Sequence, residues 1–156
     1  MEAQSESTRL VADVMLGRLA KWLRLLGYDT RYDNDANDVT LLRIAQAEDR
    51  VLLTRDWALS RKRGVRAIWI ESQELQAQIR QVRSIVGPLP EASFTRCALC
   101  NERLELIDKA KAEARVPAYV FQTQDEFRCC PHCQRIYWAA THVERMRGVI
   151  DSLLEG

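Results

Sequence analysis

Residues 10–27 constrain this chain most: Leu-Val-Ala-Asp-Val-Met-Leu-Gly-Arg-Leu-Ala-Lys-Trp-Leu-Arg-Leu-Leu-Gly. A short apolar run at 10–14, interrupted by the carboxylate of Asp13, passes directly into an amphipathic pattern. Leu16, Leu19, Ala20, Leu23 and Leu26 recur at the spacing of one helical face. Arg18, Lys21 and Arg24 fall on the opposite side, and Gly27 is a C-terminal stop. A buried strand that carries an acid at its end and turns into a helix is how open α/β sheets build a site. Asp is also a favoured helix cap, so Asp13 alone serves either purpose. Partner acids elsewhere in the chain must decide.

The pattern that follows alternates. Residues 28–32 read as a second strand, 39–47 as a helix, 50–54 as an unbroken apolar strand and 66–70 as a fourth strand. A helical turn is expected at 58–63. Residues 73–86 form a helix with Leu75, Ile79, Val82 and Val86 inward, ended by Gly87-Pro88. Strand and helix repeated in this order imply a parallel sheet with right-handed crossovers.

In such a sheet three acids share the carboxyl edge. Asp13 ends strand one, Asp38 starts the helix after strand two, and Asp56 closes Thr54-Arg55-Asp56 after strand three. Carboxylates brought together raise each other's pKa unless a cation holds them. Hard cations such as Mg²⁺ or Mn²⁺ take such oxygen ligands, lower the pKa of a bound water and clamp a phosphodiester. The plainer alternative is that Asp38 caps its helix and Asp56 a turn. Asp33 and Asp35 read as solvated turn residues.

Net charge is +1, with 14 basic and 12 acidic residues up to Pro88 and 9 and 10 after it, so bulk charge does not argue for a polyanion partner. Any such site must come from local clustering. Arg18, Lys21 and Arg24 step along the first helix; Arg55, Arg61, Lys62 and Arg63 follow strand three. Arg18, Lys21 and Arg55 are the expected contacts to substrate phosphate. Trp22 and Leu25 lie off the inward stripe and are expected to cover an interface.

Beyond the linker Pro88-Leu-Pro90 the pattern changes to Cys97-Ala-Leu-Cys100 and Cys130-Pro-His-Cys133, separated by the 29 residues from Asn101 to Cys129. Two such knuckles make a tetrahedral, closed and therefore structural Cys₄ zinc site. Cys130, at the right spacing to Cys133, is the expected ligand and Cys129 is not. Asn101 follows its knuckle suitably because Asn tolerates the left-handed conformation; Gln134 holds the equivalent place where Gly is easier. His132 is expected to be exposed, and His142 to pack beside Trp138 or touch substrate. Residues 103–127 are a charged helix or a mobile loop. Cysteines in metal-binding spacing, a polar start at 1–8 and no apolar run of membrane-spanning length imply a reducing, cytoplasmic setting and no membrane partner.

Asp13-x-Met-Leu-Gly-Arg-Leu-Ala-Lys-Trp-Leu-Arg-Leu-Leu-Gly-Tyr-Asp29, Leu53-Thr-Arg-Asp56, Cys97-x-x-Cys-Asn101 and Cys130-Pro-x-Cys133 with Ile136-Tyr-Trp138 together resemble the Mut-seven C-terminal RNase family. The resemblance runs from Arg9 to about Met146. It implies a PIN-like nuclease domain at 9–87 and a zinc ribbon at 94–146, with a closing helix to about 154. It also implies a metal-dependent RNase with Asp13, Asp38 and Asp56 as its acids; the expected function is an endoribonuclease with single-stranded or structured RNA as its partner. The fourth acid usual in PIN domains is not assigned. The other class to be weighed is a non-catalytic RNA- or protein-binding module that keeps the fold and the zinc.

Overall fold

The computed structural model describes residues 8–90 and 93–152; the expected polar start at 1–7 and the closing-helix residues 153–154 lie outside the described residues. β1 (Leu10–Ala12) leads through a 3-10 turn (Val14–Leu16) into α1 (Gly17–Leu25). β2 (Thr30–Tyr32), α2 (Asp38–Ala47), β3 (Val51–Thr54), α3 (Trp57–Ser60), β4 (Ala67–Trp69) and α4 (Leu75–Val86) follow. The four strands are all parallel, in the order β2-β1-β3-β4. Each is shorter than the segment the sequence pattern assigns to it.

The strand period of two divides the core. Leu10, Ala12, Val51 and Leu53 face one side, where they meet Leu16, Leu19, Ala20, Leu23 and Leu26 from the first helical segment and Ile79 and Val82 from α4. Val11 and Leu52 face the other side and meet Leu41, Ile44 and Ala45 of α2 and Leu59 of α3. Helices thus cover both faces, as buried parallel strands require.

The remainder holds an antiparallel sheet in the order β5-β6-β7, from Glu105–Ile107, Phe127–Cys129 and Ile136–Tyr137. Residues 103–127, left open between helix and loop by their pattern, are built. They supply β5, α5 (Lys109–Ala112), a 3-10 turn (Glu113–Arg115) and α6 (Ala118–Thr123). Ala112, Val120 and Phe127 give this piece a small core of its own. α7 (Thr141–Ser152) closes the described chain.

The two parts share apolar ground. Cys97, Ala98, Cys130 and Tyr137, with Val143 and Ile150 of α7, are buried in the same cluster as β1, α1 and α4. The ribbon and α7 therefore lie on the α1/α4 side of the sheet. Leu25 is buried there and its carbonyl receives the Phe94 N–H at 3.0 Å. Trp22 packs against the same cluster and meets His142 edge to face at 5.7 Å. Both α1 residues cover an interface as expected; His142 meets Trp22, not Trp138, at the start of an α7 that packs on α4. No helix among the described residues is long and apolar enough to cross a membrane.

Candidate functional site

The strand order reverses direction at β1: the chain goes from β1 out to β2, then back past β1 to β3. The crevice outside the carboxyl ends of β1 and β3 is the switch point where open α/β sheets bind ligands. Asp13 stands at the end of β1 and Asp56 just beyond β3, one on each side of it.

Asp13 is buried, 5 % exposed, and is tied down through both oxygens. Oδ1 accepts the Met15 N–H at 2.9 Å, capping the turn before α1. Oδ2 accepts the Thr54 hydroxyl at 2.5 Å and the Arg55 N–H at 3.2 Å. Thr54 in turn accepts the Asp56 N–H at 3.0 Å, so the ends of β1 and β3 are latched together. Asp56 is exposed and caps α3 through Oδ1, which accepts the Leu59 N–H at 3.1 Å. Asp38 is exposed in the first turn of α2; the cap there is Asn37, whose Oδ1 accepts the Thr40 N–H at 2.9 Å. Asp33 and Asp35 are exposed, and Asp33 closes a local turn onto the Asp35 N–H. Among the described residues the three acids share an edge but do not converge into a group of three metal ligands.

The basic residues divide. Arg18 and Lys21 are exposed on α1, whose N-terminus lies at this edge. Arg55 is half-buried, and its Nη1 donates to the carbonyls of Ile70 at 3.2 Å and Ser72 at 2.7 Å, fixing the segment after β4. Arg24, on the helix face that the pattern assigns to solvent, is buried at 6 % exposure. Its Nε donates to the Thr30 carbonyl at 2.7 Å and its Nη1 to the carbonyls of Ala98 at 3.0 Å and Leu99 at 3.2 Å, inside the first knuckle.

Asp29, quoted in the motif but given no role by its pattern, anchors the same seam. Its Oδ1 accepts from Arg50 at 2.8 Å and from the Asn101 amide at 2.7 Å, and Arg96 lies 3.8 Å from Oδ2. Burial pushes the Asp29 carboxyl up, but the hydrogen bonds from Arg50 and Asn101 and the charges of Arg50 and Arg96 outweigh it and hold the carboxyl below the usual carboxylate range. Asn101 Oδ1 accepts the Thr30 N–H at 3.0 Å, so one side chain serves both parts of the chain.

The sulfurs of Cys97, Cys100, Cys130 and Cys133 all lie within 4.8 Å of one another. Zn–S bonds of about 2.3 Å on a tetrahedron separate sulfurs by about 3.8 Å, so the set fits one metal ion such as zinc. The two knuckles repeat each other. Asn101 N–H reaches the Cys97 carbonyl and Gln134 N–H the Cys130 carbonyl, both at 2.9 Å. Asn101 (φ 63°) and Gln134 (φ 66°) are both left-handed. Burial pushes the Cys97 thiol up, but hydrogen bonds from the Tyr137 hydroxyl and the N–H groups of Cys100 and Leu99 bring it down to about 7. Burial and the neighbouring sulfurs push Cys100 up to about 12. Four clustered thiols resist joint ionisation, and a bound cation removes that conflict by deprotonating them outright. Cys129 lies on β6 outside the cluster, and its thiol turns to the Cys130 carbonyl at 3.5 Å. His132 is exposed.

Fold and site together define an α/β domain with an acidic switch point, joined to a four-cysteine ribbon. Residues 8–150 match the Mut7-C RNAse domain, and the chain belongs to that family. Comparison with curated proteins and with solved structures gives no match.

Proposed function

We propose that this protein is a metal-dependent endoribonuclease that hydrolyses RNA phosphodiester bonds at the carboxyl edge of its parallel sheet. The reading rests above all on Asp13 and Asp56 flanking the switch point, in a chain of an RNase domain family. Asp38 completes the acidic set. Mg²⁺ and Mn²⁺ ask for only one or two protein carboxylates, with waters and substrate phosphates as the rest of the shell, so a converged trio is not required. When bound, such a cation supplies a water of lowered pKa and a clamp for the phosphodiester. Asp38 and the outer oxygen of Asp56 are the exposed carboxylates that would hold it. Asp13 orients the two strand ends through Thr54 and Arg55. Arg18 and Lys21 bind substrate phosphates at the start of α1; Arg55, with Nη1 on two carbonyls, contributes to phosphate only through its remaining donors. One Zn²⁺ on Cys97, Cys100, Cys130 and Cys133 is structural, and the unpaired cysteines suit a reducing cytoplasm.

A second reading is a non-catalytic RNA- or protein-binding module. It is favoured by one observation: capping and latching alone account for both oxygens of Asp13 and one of Asp56. Cleavage of labelled RNA with and without Mn²⁺ separates the two. Asp56→Asn keeps its helix cap, since Asn caps as well as Asp, and Asp38→Asn leaves the Asn37 cap in place, yet each offers a hard cation a neutral amide. Each is expected to reduce cleavage about 10- to 100-fold at unchanged melting temperature. Full activity in both removes the chemistry from this edge.

A further inference from the structure

Two tryptophans stand in water beside the acids. Trp57 opens α3 immediately after Asp56 and is 55 % exposed; Trp69 ends β4 and is 37 % exposed. Their rings meet edge to face, with centroids 5.0 Å apart and planes at 78°. Folding gains little from two large rings left uncovered side by side. The pair is not loosely hung. Trp69 lies opposite Thr54 in the sheet register, its Nε1 donates to the Arg55 carbonyl at 3.2 Å, and its own carbonyl accepts the Gln81 amide at 2.7 Å. It is thus braced to the strand end whose Thr54 holds Asp13. The Arg61 guanidinium sits over the Trp57 ring at 5.2 Å. Arg61, Lys62 and Arg63 are exposed in succession, and none has an acidic partner among the described residues.

We infer that Trp57 and Trp69, with Arg61, Lys62 and Arg63, form a platform for single-stranded RNA, on which an unpaired base stacks while the flanking phosphates lie on the cations. The inference rests on the ribonuclease reading and gives its substrate class. Rigid aromatic faces beside a cationic run are how proteins hold single strands, since every base has a π-face and every linkage a negative charge. A duplex offers the phosphates but not the π-faces, because its bases are stacked within the helix. A protein partner matches the patch less well: charged residues are depleted at interface cores, and here three unpaired cations adjoin the rings.

The test is fluorescence anisotropy of a short labelled single-stranded RNA on the full chain, without added Mg²⁺ or Mn²⁺, so that binding is read apart from cleavage. Trp57→Leu keeps apolar volume and removes the π-face. It is expected to weaken binding about five- to a hundredfold, whereas Trp57→Phe retains most of the affinity. An oligonucleotide of the same length with abasic sites is expected to bind wild type as weakly as ordinary RNA binds Trp57→Leu, and to bind both proteins equally. Unchanged affinity in Trp57→Leu overturns the platform, as does a duplex that binds as tightly as the single strand. Loss of self-association in Trp57→Leu with RNA binding intact assigns the patch to a protein contact and also overturns it. Normal binding with no cleavage under any cation refutes the catalytic reading and leaves the platform standing; metal-dependent cleavage with no effect of Trp57 does the reverse.

Discussion

Replacing Arg24 by methionine removes a buried fork that joins α1 to the first knuckle while keeping most of the apolar stem. Three hydrogen bonds are lost, at 2.7, 3.0 and 3.2 Å. Bonds from a charged donor contribute about 1.5–3 kcal/mol each. Against this stands the relief of burying a guanidinium at 6 % exposure, which costs several kcal/mol on its own. The Leu99 carbonyl also recovers water when the fork goes, because Leu99 is 55 % exposed. The net loss is about 2–4 kcal/mol, which for a chain of this size lowers Tm by roughly 5–15 °C. Arg24→Lys keeps the charge but not the fork geometry and is expected to lose nearly as much. Calorimetry with zinc present measures the shift, and amide exchange over residues 97–101 reports whether the knuckle loosens first. A Tm within about 2 °C of wild type in both variants, with exchange unchanged, refutes the claim that Arg24 binds the two parts together.

Gly17→Ala places a Cβ 2.9 Å from the Tyr32 hydroxyl oxygen, whose bond to the Val14 carbonyl steadies the chain just after Asp13. Overpacking of about 1–3 kcal/mol is expected, visible as a lower denaturation midpoint and relieved in a Gly17→Ala, Tyr32→Ala double variant. Cys130→Ser is expected to lose the metal and Cys129→Ser to keep it, as metal analysis of the purified variants reads directly. Because Cys97 and Cys130 are buried in the cluster that also holds β1, α1 and α4, strong chelation is expected to lower Tm for the whole chain and not for the ribbon alone. Asp29 has a folded pKa below its ordinary 3.8, so its stabilisation is fully present above about pH 4 and is lost as pH falls through the folded value. Asp29→Asn is expected to be less stable at neutral pH and to show a shallower loss of stability on acidification, measured as the difference between the two denaturation series.

Much of the fold was legible because its signals are local. The stripe from Leu16 to Leu26, the apolar runs of the strands and the stop at Gly87 each follow from the chemistry of neighbouring residues. So does the choice of Cys130 over Cys129, since a knuckle needs its thiols three apart. The acids at the strand ends were legible too, because an alternating strand-helix order sends every strand end to one edge. Their division of labour was not. Asp13 is spent on Thr54, whose hydroxyl lies 41 positions away in the chain, and Asn37 takes the cap at which Asp38 was a candidate.

The order of elements, their periodicity and the Cys₄ spacing were determined by the sequence itself, because helices, strands and knuckles are written in separations of two to four residues. Tertiary structure alone decided which polar side chains meet. Arg24 reads as a solvated helix residue in its own neighbourhood, and it is buried because the carbonyls of Ala98 and Leu99 arrive from 74 and 75 residues downstream. Trp57 and Trp69 stand at element ends where local pattern does not separate core from surface, and the fold leaves both exposed, at 55 % and 37 %. A helical face records only its own polarity; whether water or another part of the chain covers it depends on contacts whose sequence separation leaves no periodic trace.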